Sequence, residues 1–323
     1  MSIALDASSS AHETHALHNA SARMAMVNRT LATIAIGALC VVHSWSAPRA
    51  QVVLLGTGTP GPDPNRSGPA TAITVDDRAY LVDFGPGVVR RASAAAARGV
   101  QAVRPENLKV AFVTHLHSDH TVGYPDLIFT PWVVGRKDAL QVYGPRGLKA
   151  MTDHILRAWQ EDIAIRTHGL EHNSPLTVTA HEVRPGLVFS DDLVKVTAFP
   201  VLHGEWKDAY GYRFDTPDRT IVISGDARPS PGLIDACNHC DILIHEVYSP
   251  QSQAPMPDWP KYRALYHTST SELAEIARQS QPGLLILYHR TGSLTALSDE
   301  QYLSEIRQGW AGKVVVGHDL DVY

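Results

Sequence analysis

The run Thr114-His115-Leu116-His117-Ser118-Asp119-His120 constrains this chain more than any other stretch. It reads His-x-His-x-Asp-His and follows an apolar, β-prone segment, Leu108 to Val113. A strand end fixes the backbone there, and the loop beyond it can aim several side chains at one point. Imidazoles and a carboxylate so close together suit zinc and other first-row divalent ions, so the run predicts a metal centre. A lone His-x-His pair on a surface carries no such meaning; Asp119 and His120 give it one.

Three later segments offer matching donors. His203 follows Phe199-Pro200-Val201-Leu202, Asp226 stands in Ser224-Gly225-Asp226-Ala227, and His289 closes Leu285-Ile286-Leu287-Tyr288. Each closes or follows an apolar run, as a residue at a strand end does. With the first motif, and in this order, they resemble the ligand set of the metallo-β-lactamase superfamily over about residues 51 to 323. The resemblance implies an αββα sandwich, two mixed β-sheets flanked by helices. It also implies two Zn2+ ions, with Mn2+ or Fe as alternatives. His115, His117 and His203 would hold one ion, Asp119, His120 and His289 the other, and Asp226 would bridge them.

The C-terminal third is similar to a narrower group. His245-Glu246, His267-Thr268-Ser269-Thr270 and Tyr288-His289 stand in the order of the ribonuclease Z and arylsulfatase-like branch, with the histidines at 245, 267 and 289 spaced 22 positions apart. Gly211-Tyr212-Arg213 after His203 matches that branch as well. By this likeness Asp119 and His267 are the candidate catalytic residues, with His267 as proton donor and His245 and Glu246 as its support. Without the likeness, His267 reads as a neighbour of a helix cap offered by Thr268 or Thr270. Asp83 resembles the family's buried Asp that steadies ligand histidines from behind; the other reading is a cap for a helix over Val88 to Ala97. The implied chemistry is hydrolysis by a water that two zinc ions activate to hydroxide, attacking phosphorus or a carbonyl carbon.

The chain departs from ribonuclease Z in places that bear on substrate. Members of that group carry a long Gly/Pro-rich basic arm that grips tRNA, and Leu148 to Leu202 contains none. The segment Pro62-Asp63-Pro64-Asn65-Arg66-Ser67 lacks the basic residue expected before its Arg-Asn pair. The formal net charge is -5, whereas phosphate contacts dominate nucleic-acid affinity. The expected substrate is therefore a small-molecule phosphodiester or sulfate ester, with nucleic acid disfavoured as a partner, tRNA 3′-cleavage of the ribonuclease Z type kept as the disfavoured alternative, and a homodimer admitted. A β-lactam or lactone is the alternative substrate. A non-catalytic metal-binding scaffold is a third reading, at odds with a complete ligand set.

The N-terminus points to export. Residues 1 to 22 lack apolar periodicity, Arg23 and Arg29 precede an apolar run from Leu31 to Val42, and Ser44-Trp45-Ser46-Ala47 offers small residues for cleavage. Such a run is too short to span a bilayer comfortably and fits a signal-peptide h-region, so 1–46 read as a disordered tail and a signal-peptide-like leader, and the mature protein is expected to have no transmembrane anchor. Met24 and Met26 are alternative starts, and a non-functional leader would leave the chain cytoplasmic. N-terminal sequencing of the exported protein decides between them. Leu39 before Cys40 argues against a lipid anchor. Cys237 and Cys240 read as buried small hydrophobes, with a local disulfide as the alternative.

Short strands come first and strand–helix alternation follows. Helices are expected over Val88 to Ala97, Gly147 to Gln160, Pro231 to His239, Thr270 to Ser280 and Ser298 to Gln308. One over Tyr124 to Val133 is expected to break at Pro131, and 161–192 to be irregular.

Overall fold

The computed structural model describes residues 49–171, 173–252, 257–291 and 297–323. The predicted leader, Cys40 and His172 lie outside the described residues. Among the described residues no helix is long and apolar enough to cross a membrane.

Six strands build the first sheet in sequence order: β1 Ala50–Gly56, β2 Ala70–Val75, β3 Arg78–Val82, β4 Val110–Phe112, β5 Leu140–Gly144 and β6 Val178–Glu182. β1 to β3 pair antiparallel and β3 to β6 parallel. The second sheet comprises β7 Gly186–Ser190, β8 Lys195–Pro200, β9 Tyr210–Asp215, β10 Thr220–Ile223, β11 Ile242–Tyr248, β12 Leu284–Thr291 and β13 Val314–Val316. Its β7 to β10 are antiparallel and β10 to β13 parallel.

Strand alternation explains the layers. Along β1, Val52 and Leu54 enter the apolar seam between the sheets, where they join Phe112, Tyr212, Phe214, Ile223 and Ile244. Val53 and Leu55 point the other way, into a core shared with helices α1 Val88–Ala97, α3 Tyr124–Val133 and α4 Leu148–Ala158. A strand covered on both faces needs apolar residues at every position, which is why these runs are continuous in sequence. The outer face of the second sheet packs on α6 Pro231–Cys237, α8 Thr270–Ser280 and α9 Asp299–Arg307. Helix, sheet, sheet, helix is the layering the sequence implied. The short α2 Ser118–Thr121, α5 Gln160–His168 and α7 Trp259–Tyr266 complete the helices of the described residues.

The structure corrects several local expectations. α3 does not break at Pro131; it runs through it. A mid-helix proline leaves the carbonyl four residues back without its donor. Here Arg136, just past the helix, donates from Nη1 to Leu127 O at 2.9 Å and from Nη2 to Ile128 O at 2.8 Å. Nη1 also reaches Leu108 O at 3.2 Å, and the side chain is almost fully buried. Burial pulls its pKa down to about 10, so the guanidinium still carries its charge at neutral pH. Arg136→Met is expected to cost about 3 kcal/mol, because three buried carbonyls lose a charged donor. The urea unfolding midpoint measures it, and an unchanged midpoint would show that water replaces the guanidinium at no loss.

Residues 161–192, expected to be irregular, hold α5, β6 and β7 instead. The helix expected to run to Gln160 is interrupted at Trp159, which caps α4 and precedes α5. Cys237 and Cys240 are buried as expected but are joined as a disulfide rather than standing as separate thiols. Asn238 and His239 take positive φ and fold the chain back, bringing the two Cα atoms to 4.7 Å, within disulfide reach.

Candidate metal centre

The seven predicted donors converge, all but His289 from segments that follow strands of the two sheets. β4 ends at Phe112, and Thr114 is pinned just beyond it: Asp83 Oδ1 accepts from Thr114 N at 2.8 Å and from Thr114 Oγ1 at 3.0 Å. The chain then delivers His115 and His117 from a loop, and Asp119 and His120 from the single turn of α2. Gly225 stands at φ 64°, and a Cβ there would lie 2.7 Å from Thr114 Cβ. Only glycine lets the loop carrying Asp226 approach so closely. His203 follows β8 on a bridge between Leu202 and Arg228. His289 is not at a strand end; it lies inside β12 where the register with β11 slips, at φ 40°. A bulge re-aims a side chain in this way, and the unusual backbone is typical of functional positions.

Two groups of donors result. His115, His117, His203 and Asp226 form one, and Asp119, His120 and His289 the other. In the first, His117 Nδ1 lies 2.9 Å from His115 Nε2 and 3.1 Å from His203 Nε2. His203 Nε2 is 3.9 Å from Asp226 Oδ2. In the second, His289 Nε2 is 3.2 Å from Asp119 Oδ2 and His120 Nε2 is 3.6 Å from it. Asp226 Oδ1 reaches this group too, 3.3 Å from His120 Nε2 and 3.4 Å from His289 Nδ1. Bonds of about 2.05 Å in a tetrahedron set ligand atoms about 3.3 Å apart, and the observed separations bracket that value. Asp226 thus turns one oxygen to each group.

Hydrogen-bonding deficits test whether a cation fits. His120 Nε2, Asp226 Oδ1 and His289 Nδ1 are buried without a hydrogen-bond partner. Each such orphan costs about 1–3 kcal/mol unless something else satisfies it, and a divalent ion between them would satisfy all three. Electrostatics agree. Burial drives the His115 pKa well below the ordinary histidine value and that of His203 to about 3, so both present neutral lone pairs. For Asp226, burial works to raise the pKa, but His289 and His120 outweigh it and hold the carboxyl well below its usual range. His120 is lowered by burial yet ends well above its ordinary value through Asp226 and Asp83, so the carboxylates here demand a positive charge. Nitrogen and carboxylate donors of this kind suit a divalent metal.

Further contacts orient the donors. Asp83 caps no helix: the cap of α1 is Gly87, and Asp83 Oδ2 instead accepts from His120 Nδ1 at 2.8 Å. His203 Nδ1 donates to Tyr266 O at 2.8 Å. The indole of Trp206 donates to His117 Nε2 at 2.9 Å, turning Nδ1 into the cluster. Sequence reasoning missed Trp206 and Tyr266, and only the proximity of Trp206 to His203 in the chain hinted at the first.

His267 closes α7, and its Nδ1 donates to Glu246 Oε1 at 3.0 Å. That carboxylate also accepts from Thr268 N at 3.2 Å and Ala227 N at 3.3 Å. Burial lowers the His267 pKa, but Glu246, then Asp226 and Asp119, outweigh it and leave it above the ordinary value. The cap of α8 is Ser269 in a capping box, not Thr268 or Thr270. His267 therefore takes no part in capping α8; its ring centroid lies 5.5 Å from that of His203 and 6.3 Å from that of His289. His245 stands apart from both groups. It is fully buried, and its one hydrogen bond among the described residues runs from Nδ1 to Glu246 O at 2.6 Å.

Comparison with known proteins places this geometry. A family model described as a beta-lactamase superfamily domain matches residues 78–290. The chain is 32% identical over 278 residues to ribonuclease Z of Mycobacterium marinum, across 84% of this chain and 96% of that protein. It is 33% identical over 275 residues to ribonuclease Z of Mycobacterium avium, with the same coverage, 84% and 96%. The metallo-β-lactamase fold protein YhfI of Bacillus subtilis superposes with a TM-score of 0.64 at 18% identity, over 85% of this chain and 98% of that one. Human tRNase Z, short form, gives 0.62 at 22% identity, over 84% and 98%. The two structures share the αββα fold. The chain belongs to the metallo-β-lactamase superfamily and is a metal-dependent hydrolase of that superfamily.

Proposed function

We propose that the chain is a binuclear zinc phosphodiesterase. The observation that carries the reading is the split carboxylate of Asp226, one oxygen toward each donor group, with the buried His267–Glu246 pair beside both. Bound zinc supplies Lewis acidity and makes water acidic enough to attack near neutral pH. Asp119, Asp226 and the five histidines fix where that chemistry occurs. His267 gives Nδ1 to Glu246, so Nε2 is the atom left to protonate the departing oxygen. Glu246 favours the charged form of that imidazole, as a proton donor requires.

The nature of the substrate is reset by the relatives. The expectation that disfavours nucleic acid finds no support in them, since they bear the name ribonuclease Z and one structure the name tRNase Z. Against this stands the segment Leu148 to Leu202, which α4, α5 and β6 to β8 fill without a Gly/Pro-rich arm. The bond is common to both readings: a phosphodiester, in a small molecule or, as the relatives' names favour, in an RNA strand. Export through the leader is part of the proposal, and the Cys237–Cys240 disulfide supports it, since disulfides persist in oxidising compartments.

Zinc-loaded protein is expected to release nitrophenol from bis(p-nitrophenyl) phosphate and to lose that activity with a chelator. Full zinc loading without turnover of this diester would refute the phosphodiesterase reading and favour lactams, lactones or sulfate esters.

A further inference from the structure

A second concave feature adjoins the metal centre and is not used in the chemistry above. A cavity of about 340 Å³ is lined by Arg66, Arg91, Arg98, Arg290 and His318, with Asp63 and Asp319 among them. Arg91 and Arg98 are seven residues apart, two turns along one side of α1 and just past its end. Arg290 directly follows His289.

Counter-charges do not neutralise the cavity. Asp63 pairs with Arg66 at 2.9 Å, Asp319 with Arg91 at 3.1 Å, and Asp299 with Arg290 at 2.7 Å. Asp299 is shared with His318 Nε2, at 2.6 Å. Asp319 is shared as well: it accepts from Thr57 N and Oγ1 at 2.9 Å and from Ser67 N at 2.7 Å. Arg98 is exposed and makes no ion pair among the described residues. Among the described residues four guanidinium groups thus face three carboxylates, each of which also serves another donor, Asp63 accepting from Asn65 N at 2.9 Å. Arg66 is held through Nε alone, and Arg91 through Nε to Ser67 Oγ and Nη2 to Asp319. Their planes are set in advance while other N–H groups remain for a ligand, an arrangement that suits the forked recognition of phosphate.

The cavity shares part of its wall with a cleft that reaches a proposed metal donor. Asp63 and Arg66 line it and also line a neighbouring cleft of about 570 Å³ that reaches Ser118 and Asp119. A molecule that reaches the metal centre through that cleft would pass Arg66, which also lines the arginine cavity. We propose that this cavity is an anion subsite for a second phosphate, so that the preferred substrates are phosphodiesters bearing a further phosphate group. The inference rests on the phosphodiesterase reading above and narrows it to nucleotide-like substrates.

Three chromogenic probes test it on the zinc-loaded protein: thymidine 5′-(p-nitrophenyl phosphate), the same compound with a 3′-phosphate, and the 5′-p-nitrophenyl phosphate of the dinucleotide TpT. The 3′-phosphate is expected to raise kcat/KM about tenfold or more, the gain typical of charge-assisted hydrogen bonds. That ratio is expected to shrink in Arg98→Ala and to approach one in Arg98→Glu. Because Arg98 is exposed, neither change should unfold the chain. A gain with the 3′-phosphate alone assigns a free phosphate group, and a gain with both extended probes assigns the next phosphate of a strand. Equal kcat/KM for all three probes, or a ratio that survives Arg98→Glu, would overturn the subsite and leave the phosphodiesterase reading standing. If no probe is cleaved, that reading falls. Calorimetric titration with thymidine 3′,5′-bisphosphate then decides the subsite alone: weaker binding to Arg98→Glu supports it, and equal binding overturns it.

Discussion

Asp226→Ala is expected to lower kcat/KM on phosphodiesters at least about a thousandfold, some 4 kcal/mol of transition-state stabilisation. Among the described residues Asp226 is the one carboxylate within 4 Å of histidines from both donor groups. Without it, the three histidines of one group and the Asp119 group lose their common anion, and His120 and His289 lose the carboxylate 3.3–3.4 Å away. Metal content by mass spectrometry should fall together with activity, while the far-ultraviolet circular dichroism of the variant stays close to wild type. Wild-type turnover at full metal content in this variant would remove the binuclear reading.

His267→Ala is expected to cost about 10²–10⁴ in kcat/KM with metal content unchanged, the range associated with a lost proton donor. The sign of its pH dependence follows from its surroundings. A proton donor works only while protonated, so activity falls as pH rises through the pKa of His267. Burial would move that fall to lower pH, but Glu246 and the neighbouring carboxylates more than offset it. Glu246→Gln keeps the shape and removes the charge. The alkaline limb of kcat/KM should therefore move to lower pH in this variant, with a smaller loss at the optimum than in His267→Ala. An unmoved limb would show that another group donates the proton. A diester with a more acidic leaving group should lose less in His267→Ala, which a purely structural role would not produce.

The metal motif was readable because ligand chemistry demands particular residue types at strand ends, and sequence preserves both the types and the apolar runs before them. His115, His117, Asp119, His120, His203, Asp226 and His289 all converge in space as their order in the chain implied. The strands of the double core were equally plain, since residues such as Val52 to Leu55 are apolar at every position. β6 and β7 were not, because Val-Thr-Ala-His-Glu and Gly-Leu-Val-Phe-Ser mix exposed and half-buried positions and lack a strong period. α5 buries no residue at all, so no apolar stripe announced it. The bulge at His289 escaped because register is a property of two strands, not one. Trp206 and Tyr266 act through an indole N–H and a backbone carbonyl, groups that leave no pattern in a single sequence.

Pro131 and Arg136 make one further point, about the order in which this chain can change. The guanidinium stands in for the donor that a proline in α3 cannot offer to Leu127. The two residues therefore form a dependent pair: with Pro131 present, losing Arg136 strands a buried carbonyl. With another residue at 131, the backbone itself can supply that bond. A lineage that sheds the proline first loses less on shedding the arginine afterwards, since the Leu127 carbonyl then has its own donor and only those of Leu108 and Ile128 lose theirs, whereas the reverse order passes through a less stable intermediate. Exchange of Pro131 thus opens a route that exchange of Arg136 alone keeps closed.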